Sequence, residues 1–121
     1  MTHVLAVAAG GAVGSVLRYA ISCLPFASTF PWSTLCVNLA GSFLLGLFLS
    51  LSGSRLPISQ ETRMFVSIGL LGGFTTFSTF SQQTISLWEA ERFALAGWNV
   101  FLNVVVGLLA AWLGWRLGRG A

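Results

Sequence analysis

The sequence predicts an all-α membrane protein of four transmembrane helices with a break in the third. Three observations predict it. Of 121 residues, 55% are hydrophobic and only 7% are charged, whereas about a quarter of the residues in a soluble domain carry charge. Apolar runs long enough to cross a bilayer recur along the chain, since a helix rising about 1.5 Å per residue needs about 20 residues for the hydrocarbon core. The stretch from Gly69 to Ser81, GLLGGFTTFSTFS, opens like the middle of a span and then turns polar. Gly69, Gly72 and Gly73 are followed by Thr75, Thr76, Ser78, Thr79 and Ser81, set among phenylalanines. Lipid offers no hydrogen-bonding partner, so backbone at membrane depth leaves helical geometry only where it is buried in protein or lines a wet cavity. Discontinuous helices of this kind are where ions and small solutes are handled.

The first span is Val4 to Leu24. It has no basic leader and no small-residue cleavage site before Arg18, so it reads as a span and not as a signal peptide. Gly10, Gly11 and Gly14 form a small-residue face that admits a second backbone. Arg18 lies about two thirds of the way along, where a charge either snorkels to the interface or lines a vestibule. Pro25 and Pro31 bracket a short connection, because proline begins and ends helices more readily than it continues them. The second span, Trp32 to Leu51, carries one conspicuous amide, Asn38, on the face of Thr34, Gly41 and Leu45. That amide either ties helices together or offers its N–H groups to something passing.

Ser52 to Arg63 reads as an aqueous loop separating two hairpins. The third span, Met64 to Trp88, holds the break, and its second half, with Gln82, Gln83, Thr84 and Ser86, is too polar to face lipid. Glu89, Glu91 and Arg92 close it. The fourth span runs from Phe93 to Leu113, with Asn99 and Asn103 four apart on one face, and Arg116 and Arg119 follow. Tryptophan prefers the headgroup level. With the N-terminus on side A, Trp32, Trp88 and Trp98 fall at side B, and Trp112 and Trp115 at side A. The whole chain, residues 1–121, is one four-span domain without internal repeat, so two-fold symmetry would need a second chain.

The chemistry of the polar groups excludes several functions. There is no lysine and no aspartate, and the six arginines are scattered, so no basic face exists to read nucleic acid. The single histidine, His3, is terminal, and no carboxylate lies within a span to act as acid or base, so nothing supports catalysis. Gly72-Gly73 lacks the lysine of a phosphate loop. Cys23 and Cys36 sit in apolar surroundings and read as packing residues rather than as a disulfide or a metal site. What remains is a set of neutral donors: Asn38, Thr75, Thr76, Ser78, Thr79, Ser81 and Asn103. Phe77 and Phe80, three apart, share a helical face, and an aromatic ring is electropositive at its edge. Such groups suit a small hydrated anion that must bind weakly to conduct. A half-helix starting near Phe77 would add a positive dipole end, and the preceding half would leave carbonyls free for a cation. Residues alone leave two readings open, a pore and the packing of small and polar residues in an assembly.

Three motifs decide between them by resemblance. GGAVGSVLRY from Gly10, TLCVNLAGSFLLG from Thr34 and GLLGGFTTFSTFS from Gly69 resemble, in order and over the full length, the Fluc or CrcB family of bacterial fluoride channels. The resemblance implies an antiparallel, dual-topology homodimer with two fluoride pores at its interface. It implies that Phe77 and Phe80 line the pore by their ring edges, that Asn38 helps coordinate fluoride, and that Thr34 lies on the polar track; the neutral donors Ser78, Thr79, Ser81 and Asn103, read from the residues themselves, join them on the expected fluoride pathway. Arg18 would face an aqueous vestibule. A structural sodium ion, Na+, would sit on the two-fold axis, held by the backbone carbonyls of Gly72 and Thr75 from each subunit. The role implied is fluoride export across the bacterial inner membrane.

Three positions depart from the family pattern. Ser33 stands where glycine is common, Gln83 where many members have glutamate, and Gly107 where a serine is expected, which removes one hydroxyl from the track. Arginine also favours one side, with Arg55, Arg63, Arg116 and Arg119 on side A against Arg92 and Arg18 on side B, a bias that points side A inward. The intact pore motifs favour a homodimer over a paired, oppositely inserted partner. A small multidrug-type exporter is the alternative, but it needs a carboxylate in its first span and none is there. An accessory membrane subunit would leave the aromatic and hydroxyl cluster without a role.

Overall fold

The computed structural model describes residues 1–26, 28–54 and 56–120, and of Ser54 the backbone alone. Arg55, one of the side A arginines, lies outside the described residues. The described chain is entirely helical apart from its connections: α1 (Thr2–Ser22), α2 (Trp32–Ser54), α3 (Gln60–Met64), a π-helical turn (Phe65–Leu70), α4 (Leu71–Phe74), α5 (Phe77–Glu89), α6 (Phe93–Phe101), a second π-helical turn (Leu102–Val106) and α7 (Gly107–Gly120). Four stretches are long and apolar enough to cross a membrane, namely Thr2–Ser22, Trp32–Gly53, Gln60–Glu89 and Phe93–Gly120.

The fourth of these runs past 113 to Gly120, and the third begins ahead of the apolar segment at 64–88 for a local reason. Ser59 caps α3 by accepting from the Thr62 N–H at 3.2 Å, which brings the polar residues Gln60 to Arg63 into helix ahead of the lipid-length segment. The loop expected over 52–63 is correspondingly narrower. Ser52 is still helical and buried, and Arg63 Nη2 donates to its carbonyl at 2.7 Å, tying the start of the third span to the end of the second. At the other end, α5 and α6 are joined by a tight turn in which Glu91 takes the left-handed conformation, φ 58°. Arg92 Nη1 then reaches Thr29 Oγ1 at 3.2 Å, holding this turn against the α1–α2 connection.

Packing is set by glycine contacts between backbones. α1 lies on the first π-helical turn and α4, and α2 lies on α7. A Cβ at Gly10 would strike the Phe65 carbonyl and one at Gly14 the Leu70 carbonyl, while a Cβ at Gly46 would strike the Ala111 carbonyl and one at Gly114 the Phe43 carbonyl. Gly69 and Gly73 meet the backbone of α1 around Gly10 and Gly11. Helices that lack a hydrophobic driving force in lipid gain cohesion from such close dispersion contact. The core between them is thin, with Leu35, Val37, Leu71, Phe80 and Leu87 among its few large members, while side chains such as Val4, Ile68, Leu108 and Trp112 face outward. An apolar exterior over a small-residue interior is the pattern of a chain solvated by lipid or by a second copy.

Candidate functional site

Between α4 and α5 the backbone leaves helical geometry for two residues. Thr75 has φ −82° and ψ 158°, and Thr76 has φ −152° and ψ 116°. A single side chain on the second span satisfies both backbone groups of Thr76. Asn38 Oδ1 accepts from the Thr76 N–H at 2.8 Å, and Asn38 Nδ2 donates to the Thr76 carbonyl at 3.1 Å. Thr76 then caps α5 by accepting from the Thr79 N–H at 3.2 Å and donates to Thr79 Oγ1 at 3.0 Å. The N–H groups of Phe77 and Ser78 remain in the first turn of a 13-residue helix, where the helix itself offers no acceptor and the dipole favours negative charge.

The polar line continues into the fourth span. Asn38 Nδ2 also donates to Asn103 Oδ1 at 2.8 Å. Asn103, in the second π-helical turn, donates to the carbonyl and to Oδ1 of Asn99, each at 3.0 Å. Asn99, fully buried, donates to Thr84 Oγ1 at 2.9 Å and faces the Phe80 carbonyl at 3.5 Å.

Two cavities flank Thr76. One, of about 200 Å³, is lined by Asn38, Ser42, Thr75, Thr76, Phe77, Phe80, Asn103 and Val104. Within it the rings of Phe77 and Phe80 meet edge on, with centroids 5.3 Å apart at 62°; Phe80 is buried and Phe77 is 75% exposed. The other, of about 290 Å³, is bounded by Ser15, Arg18, Thr34, Thr79 and Gln83 among others. Gln83 also lines a larger groove under the α1–α2 connection that ends at Arg92. The residues singled out from the sequence thus fall in two groups: Asn38, Phe77, Phe80, Asn103 and Thr75 on one side of Thr76, and Arg18, Thr34 and Thr79 on the other. Ser78 and Ser81 line neither cavity. Ser81 Oγ donates back to the Phe77 carbonyl at 2.9 Å, and Ser78 Oγ lies 3.4 Å from Thr76 Oγ1.

Sequence reasoning misses Ser42, Ser15 and Thr84 as site residues. Ser42 follows Asn38 by four residues, a spacing that puts both on one face, and that is the signal that could have found it. Asn99 is visible through its four-residue spacing to Asn103, but the spacing assigns it no role.

Among the described residues no group of three or more His, Cys, Asp or Glu could hold a metal, so a cation here would rely on neutral oxygens. The donor set at Gly72 and Thr75 fits such an ion. The Thr76 N–H that would close the next helical turn on the Gly72 carbonyl goes to Asn38 instead, and the Thr75 carbonyl points out of the helix toward Arg18 Nη1 at 3.4 Å, a long contact.

Comparison with known proteins places this geometry in a family. Residues 5–115 match the family described as CrcB-like protein, Camphor Resistance (CrcB). The chain is 43% identical over 122 residues to the fluoride-specific ion channel FluC of Agrobacterium fabrum, covering 98% of each chain. It is 47% identical over 121 residues to a protein of the same name from Thermus thermophilus, covering 98% of this chain and 96% of that one. A third, from Opitutus terrae, is 46% identical over 119 residues, covering 94% and 90%. With the family match and these relatives both spanning nearly its whole length, the chain belongs to the CrcB family.

Proposed function

We propose that the protein is a fluoride-selective channel, not an enzyme, and that it exports fluoride across the bacterial inner membrane as an antiparallel dual-topology homodimer with two pores at its interface. The observation that carries this reading is the cavity beside Thr76, in which an edge-on aromatic pair, the hydroxyl residues Ser42, Thr75 and Thr76 and the amides of Asn38 and Asn103 meet with no charged side chain. The relatives' name, fluoride-specific ion channel, agrees with that chemistry. A small anion that keeps a high hydration energy passes only if its water is replaced step by step, and weak multiple contacts let it leave again.

In this reading the third span is a discontinuous membrane helix, and Asn38 holds the break open. Fluoride approaches through the cavity lined by Arg18, Thr34 and Thr79, where one positive charge attracts it. It then passes the start of α5, whose dipole and first-turn N–H groups favour an anion, and the edges of Phe77 and Phe80. The carbonyls of Gly72 and Thr75, paired with those of a second copy, would hold a structural sodium ion, which supplies fixed positive charge between the two subunits.

The deciding experiment is efflux from liposomes that contain the purified protein. Fluoride should leave rapidly and chloride should not. Equal permeation of both ions, or none of either, would end the proposal.

A further inference from the structure

Two of the cavities are halves of one passage. Ser22, Ser33 and Gln83 line both the cavity of about 290 Å³ that holds Arg18 and the groove of about 400 Å³ under the α1–α2 connection, so the groove opens onto that cavity along a shared wall. Its far end is Arg92. A groove of this size has room for roughly a dozen waters, enough for a small anion to enter with its hydration shell.

The passage carries charge of one sign. Arg92 lines the groove, Arg18 lines the inner cavity, and no carboxylate lines either; Glu89 and Glu91, although in the same turn as Arg92, are not part of the wall. Arg92 Nη1 donates to Thr29 Oγ1 at 3.2 Å, which holds the guanidinium at the groove, and it forms no ion pair among the described residues. A guanidinium has five N–H donors, so most of them remain for water or a ligand. At the joint between groove and cavity, Gln83 Oε1 is shut off from solvent and has no hydrogen-bond partner among the described residues. That leaves the NH2, a donor, as the end of its amide turned to the passage. A cleft lined by one sign of charge focuses the field and raises the local concentration of the opposite ion.

We propose that this groove is an antechamber for small hydrated anions and that Arg92 is its collecting charge. An anion drawn in at Arg92 from the side B solution passes Ser33 and Gln83 to the cavity of Arg18, and loses its water only beyond both arginines, at the start of α5. This rests on the channel reading.

The test measures the potential in the groove without reference to fluoride. The full-length protein carrying Ser33→Cys, in a variant without Cys23 and Cys36, is placed in nanodiscs of zwitterionic lipid and treated with two thiol reagents of similar size, one a sulfonate and one a quaternary ammonium. The ratio of the anionic to the cationic rate, relative to that of a free thiol, should be about tenfold at about 10 mM salt. It should fall toward one at about 1 M, because the screening length shrinks from about 30 Å to about 3 Å. Arg92→Gln should lower the low-salt ratio by about threefold or more, and Arg92→Lys, which keeps the charge, by less than about 1.5-fold. Arg116→Gln, with the same loss of net charge at a residue that lines neither half, should leave the ratio unchanged. Fluoride efflux from liposomes at low salt should fall about threefold in Arg92→Gln, and the deficit should close at about 1 M.

A Ser33→Cys thiol that does not react from solution, a ratio unchanged by Arg92→Gln, a loss of equal size in Arg116→Gln, or an efflux deficit that is the same at both salts would overturn the proposal. Should Arg92→Gln fail to fold, a rate ratio that stays flat with salt in the protein retaining Arg92 would overturn it. If the unsubstituted protein carried no fluoride, the channel reading would fail by that result alone, and the thiol rates would still decide whether the groove gathers anions.

Discussion

Asn38→Leu is the sharpest single perturbation of this fold, because one side chain supports both backbone groups of Thr76 and one neighbouring amide. The substitution preserves most of the volume and removes three hydrogen bonds, of 2.8, 3.1 and 2.8 Å. In membranes each such bond contributes about 0.6 kcal/mol on average and up to about 1.7. The sum is about 2 to 5 kcal/mol, with the upper part expected here because the Thr76 backbone is left without partners in a buried position. A loss of about 3 kcal/mol is roughly a hundredfold change in the folding equilibrium.

Unfolding by SDS titration in mixed micelles, followed by tryptophan fluorescence, measures the stability term. Efflux from liposomes made with the folded fraction measures the functional one. Ser42→Ala separates the two. The Ser42 hydroxyl makes no hydrogen bond within the described chain yet lines the same cavity, so its removal should leave stability within about 0.5 kcal/mol and act on efflux alone. An Asn38→Leu protein that unfolds within about 1 kcal/mol of the unsubstituted one would refute the claim that Asn38 holds the break.

Phe80→Ile should fold and dimerise yet lose most fluoride efflux, whereas Phe80→Tyr should keep part of it; a pure packing role predicts that the near-isosteric swap, usually under about 1.5 kcal/mol, leaves both properties intact. Cysteine labelling at the C-terminus, in a variant without Cys23 and Cys36, should proceed from both sides of the membrane despite the arginine bias, and labelling from one side only, with no partner subunit present, would remove the homodimer. Replacing sodium by a large organic cation should leave efflux independent of any sodium gradient, because the ion proposed at Gly72 and Thr75 is structural; efflux that scales with the gradient would mean coupled transport.

Legibility in the sequence divides along physical lines. The four apolar segments can be read because lipid imposes a length and an apolar composition on each, and Trp32, Trp88, Trp98, Trp112 and Trp115 mark their ends independently. The glycines of the third span read as a loosening of the helix. In the structure Gly69 and Gly73 are helical contact points against α1, and the extended residues are Thr75 and Thr76. Glycine permits both uses, and only the neighbouring backbone distinguishes them. The two π-helical turns leave no mark, since a wide turn is a property of backbone register and not of residue type. The pairing of Asn99 with Thr84 is equally silent: it joins two helices across a tight turn, and four-residue spacing reports neighbours on one helix only.

Sequence also shows donors without showing whether they are engaged, and this difference bears on mechanism. By sequence, Asn38 offers two N–H groups to an anion. In the structure both are engaged, one by the Thr76 carbonyl and one by Asn103 Oδ1. For Asn38 to serve fluoride, the proposed channel must exchange one of these bonds for another. The bond to Asn103 is the one to exchange, because releasing the Thr76 carbonyl would loosen the break itself. Exchange makes the net gain at this position the difference between two hydrogen bonds, about 1 kcal/mol, and not the whole of one. Donors that are free from the start, the Ser42 hydroxyl and the ring edges of Phe77 and Phe80, are individually weak. A pathway built of exchanged and weak contacts offers the ion no deep well, so it can leave as readily as it enters, which is the condition for conduction rather than storage.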